Sequence, residues 1–198
     1  MTEPAVVSTR PRAAFPEGRA GDAFRLARRR FIAGERLDMS QLAGELGVDR
    51  VTLFRWVGNR DQLTADVIIS LADPTIRRAA EAAKGAGGAR IAAVAGDYAQ
   101  VLIDSPFFQT FVRREPERSL RLLTSAASPV QRFIVRSFEW LLERERDGGA
   151  LEHTMALHDL AYLIVRIIES FIYSDIIIGE PPDATKVRAA IAALLHAD

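Results

Sequence analysis

The chain has 198 residues, 48% of them of apolar type, with 26 basic against 26 acidic side chains, a composition that suits a folded globular protein and not a disordered or fibrous one. It contains no cysteine, which excludes disulfides, thiolate chemistry and cysteine-based zinc sites and suits a cytoplasmic protein. The zero net charge hides a division: residues 1–60 hold 11 arginines against 7 acidic groups and the remainder 15 basic against 19 acidic, so a surface for nucleic acid belongs to the N-terminal part.

Residues 1–16 carry Pro4, Pro11 and Pro16 with Arg10 and Arg12 and no apolar run of signal-peptide length, so they read as a flexible arm. A first helix is predicted over 19–33, where Phe24, Ala27, Phe31 and Ile32 supply an apolar side, Arg25, Arg28, Arg29 and Arg30 a basic one, and Gly34 the end. Leu42, Ala43 and Leu46 then recur at helical spacing, Gly47 stands where a helix stops in a left-handed residue, and Val48 plugs the turn. Asp49 suits the N-cap of a second short helix, in which Val51 and Leu53 are expected to face inward while Arg50, Thr52, Phe54, Arg55 and Trp56 cover the outside. This is the pattern of a helix-turn-helix whose outer face enters a major groove. Asn59 caps a fourth helix with Leu63, Val67 and Leu71 on its inner side, and Pro74 predicts a break or kink.

Beyond it, 84–88 reads as a glycine-rich loop and 89–104 as a helix carrying Ile91, Val94, Tyr98, Val101 and Leu102. Short helices over 106–114 and 116–123 begin on proline, and a long amphipathic one over 130–146 is closed by Asp147, Gly148 and Gly149. The penultimate helix is expected over 157–178, apolar nearly all round, and the last over 183–196. Arg166, Glu169 and Asp175 make a membrane span there too costly, so the penultimate helix needs protein on every side. A second copy of the chain is the simplest supplier, giving a homodimer through the last two helices. With no strand alternation anywhere, the fold class is all-α.

The run Leu46-Gly-Val-Asp-Arg-Val-Thr-Leu-Phe-Arg-Trp-Val-Gly-Asn-Arg-Asp-Gln-Leu63 resembles the signature of the tetracycline-repressor (TetR) family of transcription factors. The resemblance covers about 19–71 and rests on the Leu-Gly-Val turn, the Thr-Leu-aromatic triplet and the Asn-Arg-Asp-Gln-Leu start of the next helix; the rest agrees in helicity and length. It implies a three-helix DNA-binding domain over 17–60, a ligand-binding and dimerisation domain over 61–198, a palindromic operator on double-stranded DNA, and repression relieved by a small-molecule effector. Residues 17–30 with Arg55-Trp-Val-Gly58 look similar to the QsdR-like subgroup, which implies an acyl-lactone or related carboxylate as that effector. Asp38 departs from the family, which commonly has a threonine there that caps the second helix and touches phosphate. A carboxylate caps the helix but repels DNA.

The candidate DNA-contact set is Ser40, Gln41, Arg50, Val51, Thr52, Phe54, Arg55, Trp56 and Arg60. Arg50 can grip guanine bidentately and Thr52 can meet a thymine methyl or a phosphate, while Ser40, Gln41 and Arg60 stand in first turns, where amides and a cation together hold a phosphate. Arg28, Arg29 and Arg30 add long-range attraction, although such a run is more often a solvated face. Candidate ligand-site residues are Tyr98, Phe107, Phe111, Phe133, Trp140, Tyr162, Arg166 and Glu169, the last two because charges on an apolar helix need partners. A structural ion pair between them is the alternative.

The competing class is a small helical enzyme, or a ligand-binding protein without a DNA role. His153, His158 and His196 are the only histidines, and no HExxH, Ser-His-Asp order or phosphate-cradling loop accompanies them. Neither a metal nor a cofactor is expected.

Overall fold

A computed structural model describes residues 17–196; the arm expected over 1–16 lies outside the described residues. Within them the chain forms eleven helices and no strand. Three short ones come first: α1 (Gly18–Ile32), α2 (Met39–Glu45) and α3 (Arg50–Val57). The starts of α2, of α3 and of the helix after it are each marked in the sequence by a residue that satisfies exposed amides. Asp38 Oδ1 accepts from Ser40 N and Gln41 N, Asp49 Oδ1 from Thr52 N, and Asn59 Oδ1 from Gln62 N, at 2.7, 3.1, 2.7 and 2.8 Å. Gly47 takes φ +65° between α2 and α3, the left-handed turn that other residues enter at a cost. Phe24, Phe31, Leu42, Leu53 and Leu63 close a small core beneath these helices.

The long α4 (Arg60–Ala82) runs through Pro74 without a break, contrary to the break or kink expected there. Proline removes one ladder donor at a cost of about 3 kcal/mol. Burial of Ser70, Ala72, Ile76 and Ala79 on both sides of it holds the helix together, and the Thr75 hydroxyl donates to Leu71 O at 2.8 Å. Helix α4 packs on α1 in the N-terminal part and on α5 (Gly87–Ile103) and α8 (Pro129–Asp147) beyond it, so the two parts share one element.

Short α6 (Pro106–Arg114) and α7 (Pro116–Thr124) cover the junction between the parts. The penultimate helix is shorter than expected: α9 ends at Ile172, and α10 (Ser174–Ile177) follows Tyr173. Ser174 Oγ donates to Phe171 O at 3.1 Å, a local bond that competes with the ladder at that point. Nor is α9 (Leu157–Ile172) buried all round. Leu160, Ile164, Ile168 and Ile172 face the protomer core, and Tyr162 on the opposite side is 47% exposed. The last helix, α11 (Ala184–Leu194), lies along α5, where Gly96 admits it: a Cβ there would stand 3.0 Å from Arg188 Nε and 3.1 Å from Arg188 Cβ. No helix among the described residues is long and apolar enough to cross a membrane.

Candidate DNA-reading face and effector cavity

Helix α3 presents a mixed face. Arg50, Val51, Phe54 and Arg55 are exposed, Thr52 and Trp56 half-buried, and Leu53 and Val57 buried. Val51 therefore does not face inward as expected; at 63% exposure it stands outside, and Val57 takes the inner place. That puts two apolar groups, Val51 and the 57%-exposed Phe54, between two arginines, a combination suited to thymine methyls and guanine edges together. Thr52 is partly committed, its hydroxyl donating to Asp49 Oδ2 at 3.2 Å, and Trp56 packs on the core.

The remaining expected contacts sit less freely. Ser40 and Gln41 are exposed, yet their amides already serve the Asp38 carboxylate, and those bonds hold its pKa below the usual range. Arg60 is half-buried and turned to the C-terminal part, with Nη2 2.8 Å from Glu115 Oε1. Arg28 donates to Ser70 Oγ at 3.3 Å and Arg30 pairs with Glu35 and Glu45, which leaves Arg29 as the exposed member of that run.

Glu115, between α6 and α7, gathers cations from both parts. Its Oε1 meets Arg60 Nη2 and Arg36 Nε at 2.8 Å each, and its Oε2 meets Arg118 Nη1 at 2.9 Å. Arg118 also reaches Asp61, and Arg114 Nη1 donates to Gly34 O at 2.9 Å. The hydrogen bond from Arg60, then that from Arg118, outweigh desolvation and depress the Glu115 carboxyl to about 2.

Beside this junction lies a cavity of about 60 Å³, room for a few water molecules. Its walls come from both parts: Phe31 of α1; Ile68, Leu71, Ala72 and Thr75 of α4; Phe107 and Phe108 of α6; Tyr98 of α5; and Val165, Ile168, Glu169 and Ile172 of α9. Phe31 and Phe107 also line a smaller crevice under the Glu115 cluster, with Phe111. The rings interlock, Phe31 standing 5.8 Å from Phe107 and 5.3 Å from Phe111.

Of the expected ligand-site residues, Tyr98, Phe107 and Glu169 line this cavity. Phe111 belongs to the crevice instead, and Trp140 to a separate open groove where Arg144 stacks on its ring at 5.0 Å. Phe133 is half-buried against the core, while Tyr162 and Arg166 stand on the outer side of α9. Sequence reasoning missed Phe31, the α4 stretch, Ser105 and Tyr173. Their helical spacing marks them only as core, and Tyr173 sits beyond the unforeseen end of α9.

Arg166 and Glu169 do pair, Nη1 to Oε2 at 2.5 Å, and Gln131, with its amide nitrogen turned inward, donates to Glu169 Oε1 at 2.7 Å. Burial nevertheless outweighs both and lifts the Glu169 carboxyl to about 7. The folded state thus favours protonated Glu169, so this group's contribution to stability is fullest below pH 4.5 and is lost as pH rises toward 7. Glu169→Gln is expected to abolish that fall, gaining up to about 3 kcal/mol over the parent at pH 8 and little at pH 4.5, read by urea unfolding. Equal gains at both pH values would contradict it.

The His153 and His196 rings stack 6.4 Å apart, His158 Nδ1 sits 3.2 Å from Glu139 Oε2 on the surface, and no group able to hold a metal occurs among the described residues.

Comparison with known proteins agrees with this arrangement. Residues 86–196 match the family model described as tetracyclin repressor-like, C-terminal domain. The structure of the transcriptional repressor QsdR of R. erythropolis, from the TetR family, superposes with a TM-score of 0.82 at 30% identity, over 90% of this chain and 94% of that one. No curated protein matches.

Proposed function

Because the chain belongs to the TetR family, and is by that membership a transcriptional regulator and not an enzyme, we propose that it is a repressor released from a palindromic operator by a small effector. The observation that carries this reading is the cavity shared by both parts. At about 60 Å³ it is too small for an effector, so occupancy must part walls that include α1, α4 and α6. Of these, α1 packs directly on α3, α4 follows α3 in the chain after Gly58 and Asn59, and α6 packs on α1. An effector that binds the parted state better shifts the population away from the DNA-competent one.

The dimer follows from what the surface leaves over. The expectation was a contact through the last two helices, but α11 is spent on α5, and its outer side shows Thr185, Lys186, Arg188 and Ala189. Helix α9 instead offers Leu163, Ile167 and Phe171 at four-residue spacing, with the exposed Tyr162 next to Leu163, beside α8. We place the second copy there, with the two α3 helices in major grooves about 34 Å apart. The domain division at residue 60 is kept as a reading of roles, with α4 as the shared lever.

The test is selection of bound fragments from the genome of origin, followed by titration of the selected palindrome and a scrambled duplex at one salt concentration. Discrimination of at least about 1,000-fold supports the reading. Equal affinity for both duplexes would sink it.

A further inference from the structure

The cavity wall is aliphatic and aromatic except at five side chains; the Thr75 hydroxyl is spent on Leu71 O at 2.8 Å, and the other four define what the cavity can hold. Glu169 is 6% exposed with its Oε2 against Arg166 Nη1, and Ser105 is 8% exposed with its Oγ buried and without a hydrogen bond. Tyr98 and Tyr173, each 3% exposed, make no side-chain hydrogen bond among the described residues. Ser105 is the N-cap residue of α6 yet accepts nothing from that helix, so its hydroxyl is idle in the place where capping would use it. Idle polar atoms in an apolar enclosure cost free energy unless something completes them.

Charge decides what that something is. Glu169 already faces Arg166 Nη1 at 2.5 Å from its own helix and Gln131 from α8, so its ionised form has a counter-charge. From the other elements around it come only neutral groups: Tyr98 of α5, Tyr173 after α9, Leu71, Ala72 and Thr75 of α4, and Phe107 and Phe108 of α6. An anionic head needs a cation, and the wall offers none: Arg166 stands on the outer side of α9 and is spent on Glu169. A cationic head would add a second positive charge beside Arg166. An uncharged carbonyl meets neither obstacle, and the Ser105, Tyr98 and Tyr173 hydroxyls can all donate to it.

We infer that the effector is an uncharged amphiphile, an aliphatic body with one compact carbonyl-type head, anchored by Ser105, Tyr98, Tyr173 and Glu169. This rests on the reading of the cavity as the effector site and narrows it: of the lactone and the carboxylate that the family resemblance implies, only the uncharged kind fits. Engaging Ser105 also grips the start of α6, the helix whose Phe107 and Phe111 pack on Phe31.

Three probes of equal chain length separate the head groups: octanamide, octanoate and octylamine, titrated into the full-length protein at pH 7 by calorimetry. Octanamide is expected to bind at least ten-fold tighter than either charged probe. Ser105→Ala and Tyr173→Phe are each expected to weaken it three- to ten-fold, and Glu169→Gln, which keeps a donor, to hold it within three-fold. A Val101→Trp change at the exposed rim of the cavity is expected to abolish binding without altering the circular-dichroism melt. Tightest binding by a charged probe, lost in Val101→Trp, would overturn the uncharged head while the cavity stands as the site. Octanamide binding unaffected by Val101→Trp would overturn both, and no binding by octanamide would overturn the inference.

Discussion

Replacing Glu115 by glutamine is expected to lower the unfolding free energy by about 2–4 kcal/mol. Removing one partner of a fully buried ion pair costs about 3–5 kcal/mol, and the Glu115 side chain is 21% exposed, which trims the figure. What the change leaves behind is the reason it is large. Arg36, Arg60 and Arg118 would face one another with Asp61 as the remaining anion, and Arg60 Nε is already buried without a partner. The pH dependence is a second readout. Because the Glu115 pKa is depressed to about 2, its contribution is present above pH 4.5 and lost as pH falls toward 2; Glu115→Gln should flatten stability over that range. Arg60→Ala should cost a similar amount, and the double variant little more than either single one. Full additivity, or a loss below about 0.5 kcal/mol, would mean that the cluster holds nothing together.

The second large effect is on DNA. Arg50 and Arg55 are exposed on α3 and make no side-chain ion pair or hydrogen bond among the described residues, so both are available to a duplex. Each arginine contact carries about 1–3 kcal/mol, so each alanine variant is expected to weaken operator binding by about 5- to 150-fold, and the pair by the product. Arg50→Ala should also relax base preference at one position of each half-site, whereas Arg55→Ala should weaken all sequences alike. Thermal melts should not move, since neither side chain is packed. Parental affinity in both variants at the same salt would remove α3 as the reading helix.

What could be read from the sequence was whatever is decided within a few residues. Asp38, Asp49 and Asn59 were legible as caps because a cap bonds an amide two or three positions away, and Gly47 was legible because one residue type fits its φ. Pro74 misled for the same reason: the local rule says break, and packing of Ala72 and Ile76, which no local rule contains, overrides it. Val51 looked apolar and hence inward, although the outer face of a DNA-reading helix tolerates a methyl surface. The cavity was legible only in part. Phe31 and Tyr173 lie at opposite ends of the chain and meet one space through the fold, so spacing could not unite them. Glu169 was found because a charge on an apolar helix is conspicuous wherever it lies. The C-terminal part, which offered the reading only helicity and length, is the part that the family model matches over 86–196.

The Asp38 cap carries a consequence for how the protein responds to its ionic surroundings. Every phosphate neutralised by a protein cation sets condensed counterions free, and the number set free fixes how steeply affinity falls with added salt. At the start of α2 the chain has supplied its own anion: the Ser40 and Gln41 amides close on Asp38 and not on a phosphate. Those amides carry no net charge, so the salt slope is left to the arginines of the reading face, while the Asp38 carboxylate adds an anion beside any duplex bound there. An uncharged anchor at α2 is thereby given up, and more of any discrimination among sequences rests on what α3 touches.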